Sequence, residues 1–246
     1  MASSHSYSRR RPSRTPQPSI VILVEGEVTE VEYLNALREA CGISKDLIDI
    51  HKAKCSDADG IVAEAKDLLA KSARGRDSKT FDEIWVVADA ESEHSNGSPE
   101  NISHAINHAG DSIHLVLDSP SIEYWFLLHF VPTTRDFPSA ADVIAKLKQH
   151  WHGYSKQSKT LEWNALLKKT EAAMKNAASV RKTRRESRAD RPLADMDVLA
   201  AKLKSMGKGS IPRAKDETDR PHPAYESLTY KDLYSWEKLH HSFSKR

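Results

Sequence analysis

Two groups of carboxylates stand at the ends of apolar runs that lie far apart in this 246-residue chain. Glu25, with Glu27 and Glu30 close behind it, follows the run Ile20 to Val24. Asp89 and Glu91, with Glu93 next, follow the run that starts at Glu83 (EIWVVAD). If the two runs are neighbouring strands of a parallel sheet, the acids meet at its carboxyl edge, where open α/β sheets keep their ligand crevice. Crowded hard oxygens repel one another unless a cation neutralises them, and Mg²⁺ takes carboxylates together with water and phosphate oxygens. One or two such ions, Mg²⁺ or Mn²⁺, suit phosphoryl chemistry, and a pair clamps an in-line displacement. In that scheme Asp89 and Glu91 hold metal. Glu25 either binds metal or exchanges a proton with the attacking or leaving oxygen. The bland alternative stays open: Asp89 to Glu93 as a solvated acidic loop, and Glu25 as an acid drawn to a helix N-terminus.

The elements that must position these acids follow from periodicity. Ile20 to Val24 is short and continuously apolar, the pattern of a strand buried on both faces. Gly26 permits a sharp turn, and Thr29 with Glu32 has the spacing of a capping box. Val28, Val31, Leu34, Leu37 and Cys41 recur at helical spacing up to Gly42. Leu47 to His51 is a candidate strand. Ile61, Ala65, Leu68 and Leu69 mark a second helix, led in by Asp57 and Asp59, and a polar loop runs from Arg74 to Thr80. Glu83 to Asp89 is a strand, Ser98-Pro99-Glu100 opens a helix with serine as cap, and Ile113 to Leu117 is the fourth strand. Ser119, in Asp118-Ser119-Pro120, is most economically the cap of the next helix. That helix, Ile122 to Phe130, is apolar nearly all round and so should be buried. Strand and helix alternate four times, which predicts an α/β fold with a mainly parallel sheet flanked by helices. Beyond Phe130 the pattern is helical, over Ala141–Trp151, Leu161–Ala178, Leu193–Met206 and Leu228–His241.

The predicted organisation is therefore a basic arm over 1–19, an α/β domain over 20–133, and a helical C-terminal region over 134–246. Charged residues make up 29% of the chain, and no apolar run approaches the roughly 20 residues that span a bilayer. The arginines near the start have no apolar core behind them, so a secretory signal is not expected. Cys41 and Cys55 lack metal-finger spacing and suit reduced thiols of a cytoplasmic protein. Net charge is only +2, so its distribution carries the information. Arg9, Arg10, Arg11 and Arg14 form one basic stretch. A second basic block contains Arg181, Lys182, Arg184, Arg185, Arg188 and Arg191. Either could grip RNA or DNA phosphates, although solvated charge is the usual fate of such runs. Trp151, Tyr154 and Trp163 could stack on bases, but core packing suits them better. Trp125 and Phe126 read as core, and His129 as a hydrogen-bonded buried histidine. His94, in the acidic stretch, could be a ligand or simply solvated.

Three strings resemble the RloB-like family of defence-associated Toprim proteins: VEGEVTEVEYL (Val24 to Leu34), VVADAE (Val86 to Glu91) and LDSPSIEYWFLLHF (Leu117 to Phe130). Gly153-Tyr154-Ser155-Lys156 is a weaker fourth. The resemblance covers about residues 20 to 178 and implies a Toprim-like fold. It makes Glu25 the catalytic glutamate and Glu30 the acid of a Thr-Glu pair. Asp89 becomes the first acid of an acid-x-acid metal motif, and Glu91 stands where a second aspartate is usual. Asp118-Ser119-Pro120 replaces a Ser-Asn-Pro turn, a departure that could alter substrate contacts, and Glu123 matches a glutamate before the tryptophan; Ser119 and Glu123 are implied to give substrate or structural support. Lys156 is implied to stabilise phosphoryl charge. From the residues alone, Glu30 and Glu123 are equally explained as acids favoured at helix N-termini, and Lys156 as a solvated lysine. An acid in so apolar a helix as Glu123's nonetheless needs a partner.

Three functions are open on this reading. One is a metal-dependent endonuclease; by resemblance it would cleave tRNA or other nucleic acid in antiphage or abortive-infection defence, restrained by an ATPase or another defence-system partner. Another is phosphoryl transfer of a different kind. A topoisomerase's tyrosine domain or a primase's zinc-binding and helical partner regions are not seen in the residues. The third is a non-catalytic nucleic-acid-binding or sensor module. The residues do not separate RNA from DNA, and a homo-oligomer is compatible with them.

Overall fold

The computed structural model describes residues 18–74, 81–90, 99–156, 158, 161–189 and 191–207. Most of the basic arm, the polar loop from 75 to 80, Glu91, Glu93, His94, the Ser98 cap and the helix expected over 228–241 lie outside the described residues.

Four short strands, β1 (Ile20–Val24), β2 (Ile48–Lys52), β3 (Glu83–Asp89) and β4 (His114–Asp118), form one parallel sheet in the order β2-β1-β3-β4. Between them run α1 (Thr29–Ala40), α2 (Ala58–Ala73) and α3 (Pro99–Ala109). Alternation along each strand splits the core into two layers. Ile20, Ile22, Val24, Trp85, Val87 and Val116 face α1 and the later helices. Val21, Leu23, Ile84, Val86, Leu115 and Leu117 face α2 and α3. Both layers are apolar, and β1 is buried at every position, as its unbroken run of β-branched and leucine residues requires. This is the α/β, Toprim-like parallel sheet flanked by helices that the alternation and the resemblance imply.

The strand order decides where a site can lie. From β1 the chain passes through α1 to β2 on one side, then returns through α2 to β3 on the other. β1 and β3 are therefore adjacent, paired from Ile20 with Glu83 to Val24 with Val87, and the order reverses between them. Such a reversal opens a crevice at the carboxyl ends of the strands.

Local signals explain most boundaries. Asp57 caps α2, its Oδ1 accepting from Gly60 N at 2.8 Å. Gly42, at φ +68°, ends α1. Its N–H donates to Glu39 O and that of Ile43 to Arg38 O, the paired bonds of a left-handed helix terminus. The capping box expected at Thr29 does not form. Thr29 is the first helical residue, Val28 holds the cap position, and the Thr29 hydroxyl is engaged elsewhere.

After β4 come α4 (Ile122–Leu128), buried at every residue, then α5 (Ala140–Lys148), α6 (Trp163–Leu167), α7 (Thr170–Ser187) and α8 (Met196–Met206). The single helix expected over 161–178 is two helices. The chain leaves helical geometry at Lys169, so that Trp163, Leu166 and Leu167 can enter the core while α7 takes its own direction. α7 then continues through most of the basic block. α5 to α8 all contribute to the same apolar layer as α1. Both cysteines are free thiols, Cys41 buried and Cys55 partly so. Among the described residues no helix is long and apolar enough to cross a membrane.

Candidate metal and phosphoryl site

Glu25 follows β1 directly and Asp89 is the last residue of β3, so the pairing of these strands brings the two acids together. The Glu25 N–H donates to Val87 O at 3.2 Å, extending the ladder by one residue. Its carboxylate Oε2 accepts from Asp89 N at 3.0 Å. Asp89 Oδ1 in turn accepts from Ile122 N at 2.9 Å, at the start of α4. Two backbone donors thus fix both carboxylates at the switch point.

Around this pair the structure gathers further charge. Glu30, on the first turn of α1, is 4% exposed, and Glu123, on the first turn of α4, is fully buried. The Glu30 carboxylate lies against Gly26 so closely that a Cβ there would stand 2.0 Å from Oε2. A side chain at position 26 would therefore push the Glu30 carboxylate out of this place. Glu123 is held from both sides: Ser121 Oγ donates to Oε2 and Tyr154 Oη to Oε1, each at 2.6 Å. The side chain of Lys156 is solvent-exposed, but its carbonyl accepts from the Thr29 hydroxyl, which ties its loop to α1.

Electrostatics reports the crowding. Burial pushes the Asp89 carboxyl well above the usual carboxylate range; Glu123, Glu30 and Glu25 push it further, and Lys156 opposes them. Glu30 is also raised, chiefly by burial, with Lys156 lowering it and Glu123 raising it. A cluster that cannot comfortably ionise all its members suits a cation. Hard oxygen donors of this kind fit Mg²⁺ or Mn²⁺, which need only one or two protein carboxylates beside water and phosphate. Among the described residues, however, the trio with ligand atoms all within 4.8 Å of one another is Asp59, His104 and His108, not the strand-end acids. The strand ends therefore offer Glu25 and Asp89 as a two-carboxylate site. Glu91, expected as a further ligand, lies outside the described residues.

A family model described as RloB-like protein matches residues 20–203. The chain belongs to the RloB-like family. No curated protein and no solved structure matches it. In this RloB-like protein the match extends beyond residue 178, the limit of the resemblance read from the sequence, and takes in α7 and nearly all of α8.

Of the expected site residues, Glu25, Glu30, Asp89, Glu123 and Lys156 are within one electrostatic neighbourhood. Ser119 is not. The helix cap position belongs to Ser121, and Ser119 Oγ accepts instead from Arg191 Nε at 2.7 Å. Its neighbourhood is the link between β4 and the segment before α8.

Arg181 is a second correction. It is 5% exposed, and its guanidinium makes a two-pronged pair with the buried Asp197, Nη1 to Oδ1 at 2.6 Å and Nη2 to Oδ2. Nη1 also donates to Ala194 O at 3.0 Å. A fork matched in this way to a buried carboxylate is not available to phosphate. Lys182, Arg185 and Arg188 remain on the surface and Arg184 is half-buried, with Lys182 3.9 Å from Glu186.

Tyr154, Ser121 and Thr29 position the site, yet the residue pattern does not single them out for that role. Tyr154 is core, as expected, packing against Trp151 and Phe126, and its hydroxyl reaches Glu123 as well. A buried tyrosine hydroxyl needs a partner, which is the signal that points from Tyr154 to an acid. His129 is buried with Nδ1 3.0 Å from Trp125 O, and burial, aided by Lys169, pushes it down to about 3. It stays neutral, in keeping with the expected buried histidine.

Proposed function

We propose that this RloB-like protein is a metal-dependent nuclease whose centre is the pair Glu25 and Asp89. The observation that carries the reading is the bond from Asp89 N to Glu25 Oε2 at the switch point, with Glu30, Glu123 and Lys156 in electrostatic reach of it. Glu25 and Asp89 would hold Mg²⁺ or Mn²⁺, which when bound neutralises phosphoryl oxygens and activates water. Asp89, fixed by Ile122 N, presents a carboxylate whose orientation does not depend on the ion. Glu30, raised by burial, holds a proton more readily than a solvated carboxyl and is placed to pass one to a leaving oxygen. Lys156 brings positive charge to the rim, where a phosphate would approach. Glu123, clamped by Ser121 and Tyr154, sustains the field around Asp89. The substrate proposed is RNA, tRNA included, or DNA. The setting proposed is antiphage defence in the cytoplasm, with an ATPase or other partner, or a second copy of the chain, restraining the activity.

The purified protein is expected to cleave tRNA or plasmid DNA with Mg²⁺ or Mn²⁺ and to stop in EDTA. Glu25→Gln should reduce the rate by about 10²-fold or more. Cleavage that persists unchanged in the variant would assign it to a contaminant or another site. A folded variant that differs from wild type in neither metal binding nor cleavage would favour a non-catalytic module. That second reading draws on the absence, among the described residues, of three strand-end oxygens within 4.8 Å of one another.

The surface of α7 is the proposed phosphate grip, through Lys182, Arg184, Arg185 and Arg188. Reversing three of these charges (Lys182→Glu, Arg185→Glu and Arg188→Glu) should weaken RNA binding and make the slope of log K against log salt shallower by about two to three, near 0.7–0.9 per lost phosphate contact. An unchanged slope in a filter-binding titration would remove α7 from the interface.

A further inference from the structure

A second group of potential ligands lies on the opposite layer of the sheet, where α2 and α3 pack together. His104 and His108 stand four residues apart on α3 and so project from the same face of that helix. Their Nδ1 atoms lie 2.9 and 2.8 Å from one oxygen, Oδ1 of Asp59, at the start of α2. The two rings meet edge to face with centroids 6.0 Å apart. One ligand atom from each of the three residues falls within 4.8 Å of the other two.

Capping does not require Asp59. The neighbouring Asp57 already caps α2, so the Asp59 carboxylate is directed to the histidines rather than to the helix end. The trio is open to solvent, with the His104 side chain 70% exposed and those of His108 and Asp59 about one-third exposed. None of the three belongs to the carboxylate crevice.

We propose that Asp59, His104 and His108 bind a borderline divalent transition ion, with Zn²⁺ the best fit, and that the ion clips α3 to α2. Two imidazoles and one carboxylate leave a fourth position for water, the donor set of an open zinc site. The two nitrogen–oxygen distances are close to what such a shell needs, and the two nitrogens lie within 4.8 Å of each other. Bonds of about 2.0–2.1 Å to nitrogen and oxygen subtend roughly 3.3 Å at a tetrahedral angle, so each nitrogen–oxygen gap need open only by about 0.5 Å. Mg²⁺ and Ca²⁺ prefer all-oxygen shells and should bind here poorly. The metal would take the two Nδ1 positions that face Asp59, so protons and metal compete for them.

The test is a Co²⁺ and Zn²⁺ titration of the full chain, free of any polyhistidine tag. Visible d–d absorption reports Co²⁺, and thermal denaturation reports the clip. Wild type should bind Co²⁺ with a tetrahedral spectrum, release it to Zn²⁺, and melt higher with Zn²⁺ than without. His104→Gln/His108→Gln should bind at least about 100-fold more weakly and lose the Zn²⁺-dependent rise, with its metal-free midpoint unchanged. Asp89→Asn, which alters the crevice and not this trio, should keep the spectrum. Equal Zn²⁺ affinity in wild type and the double histidine variant would overturn the proposal. So would loss of the spectrum in Asp89→Asn, or no binding at 100-fold excess of metal over protein. Because the crevice and the trio are altered in separate variants, failure of one assignment leaves the other intact.

Discussion

Asp89→Asn is expected to raise the thermal midpoint measured in EDTA and, in the same preparation, to cut metal-dependent cleavage by about 10³-fold or more. The two effects have one cause. Asp89 sits among Glu25, Glu30 and Glu123 with Lys156 as the opposing charge, so without a divalent ion its negative charge works against the fold. Asparagine keeps an oxygen that can accept from Ile122 N while removing that charge. Each kcal/mol of relief should appear as about 2–4 °C in a chain of this size. The same carboxyl gives wild type a pH slope. Because its value in the fold is raised, the native state still holds a proton that the unfolded chain has released. Stability therefore falls as pH rises from the ordinary carboxylate range through the raised value, and Asn should flatten that fall. Differential scanning fluorimetry across pH, with EDTA and with Mg²⁺, reads all of this. An unchanged midpoint would mean that the acids do not crowd. Undiminished cleavage would mean that Asp89 holds no ion.

Arg181→Ala should cost about 3–5 kcal/mol of folding stability, the usual result of removing one partner from a buried ion pair. Asp197 and Asp195 are both buried beside this arginine, and Asp118 lies next to them. Burial, together with Asp195 and Asp197, already pushes the Asp118 carboxyl well above its usual range, and its Oδ2 is buried with no hydrogen-bond partner. Three acids without the guanidinium would have to protonate or let water in. Arg181→Lys should rescue little, because a single ammonium cannot reproduce the two parallel bonds to Asp197. Urea denaturation followed by circular dichroism measures the loss. Normal stability combined with weakened RNA binding would return Arg181 to the nucleic-acid interface.

The two corrections share a physical origin. Ser119 has the composition of a cap and Arg181 that of a phosphate ligand, and both expectations are sound for a chain considered locally. Each is overridden by a residue distant in sequence: Arg191 takes the Ser119 hydroxyl, and Asp197 takes the Arg181 guanidinium. Thr29 is a third instance, its hydroxyl drawn from the expected capping box to the Lys156 carbonyl. Hydroxyls and guanidinium groups accept many partners, so residue type narrows their roles without fixing them.

Periodicity and apolar runs determined the α/β class, the four strands and the burial of α4, because burying apolar surface at a period of two or 3.6 is a local property of the chain. The family strings named Glu25, Asp89, Glu30, Glu123 and Lys156, which the fold brings into one electrostatic neighbourhood. Only the tertiary structure decided that β1 lies beside β3, which brings two acids 64 positions apart into hydrogen-bond contact. It alone set Tyr154 against Glu123 and Asp59 against two histidines of α3. Strand order and side-chain pairing across long loops depend on how whole layers pack, and no window of local sequence encodes them.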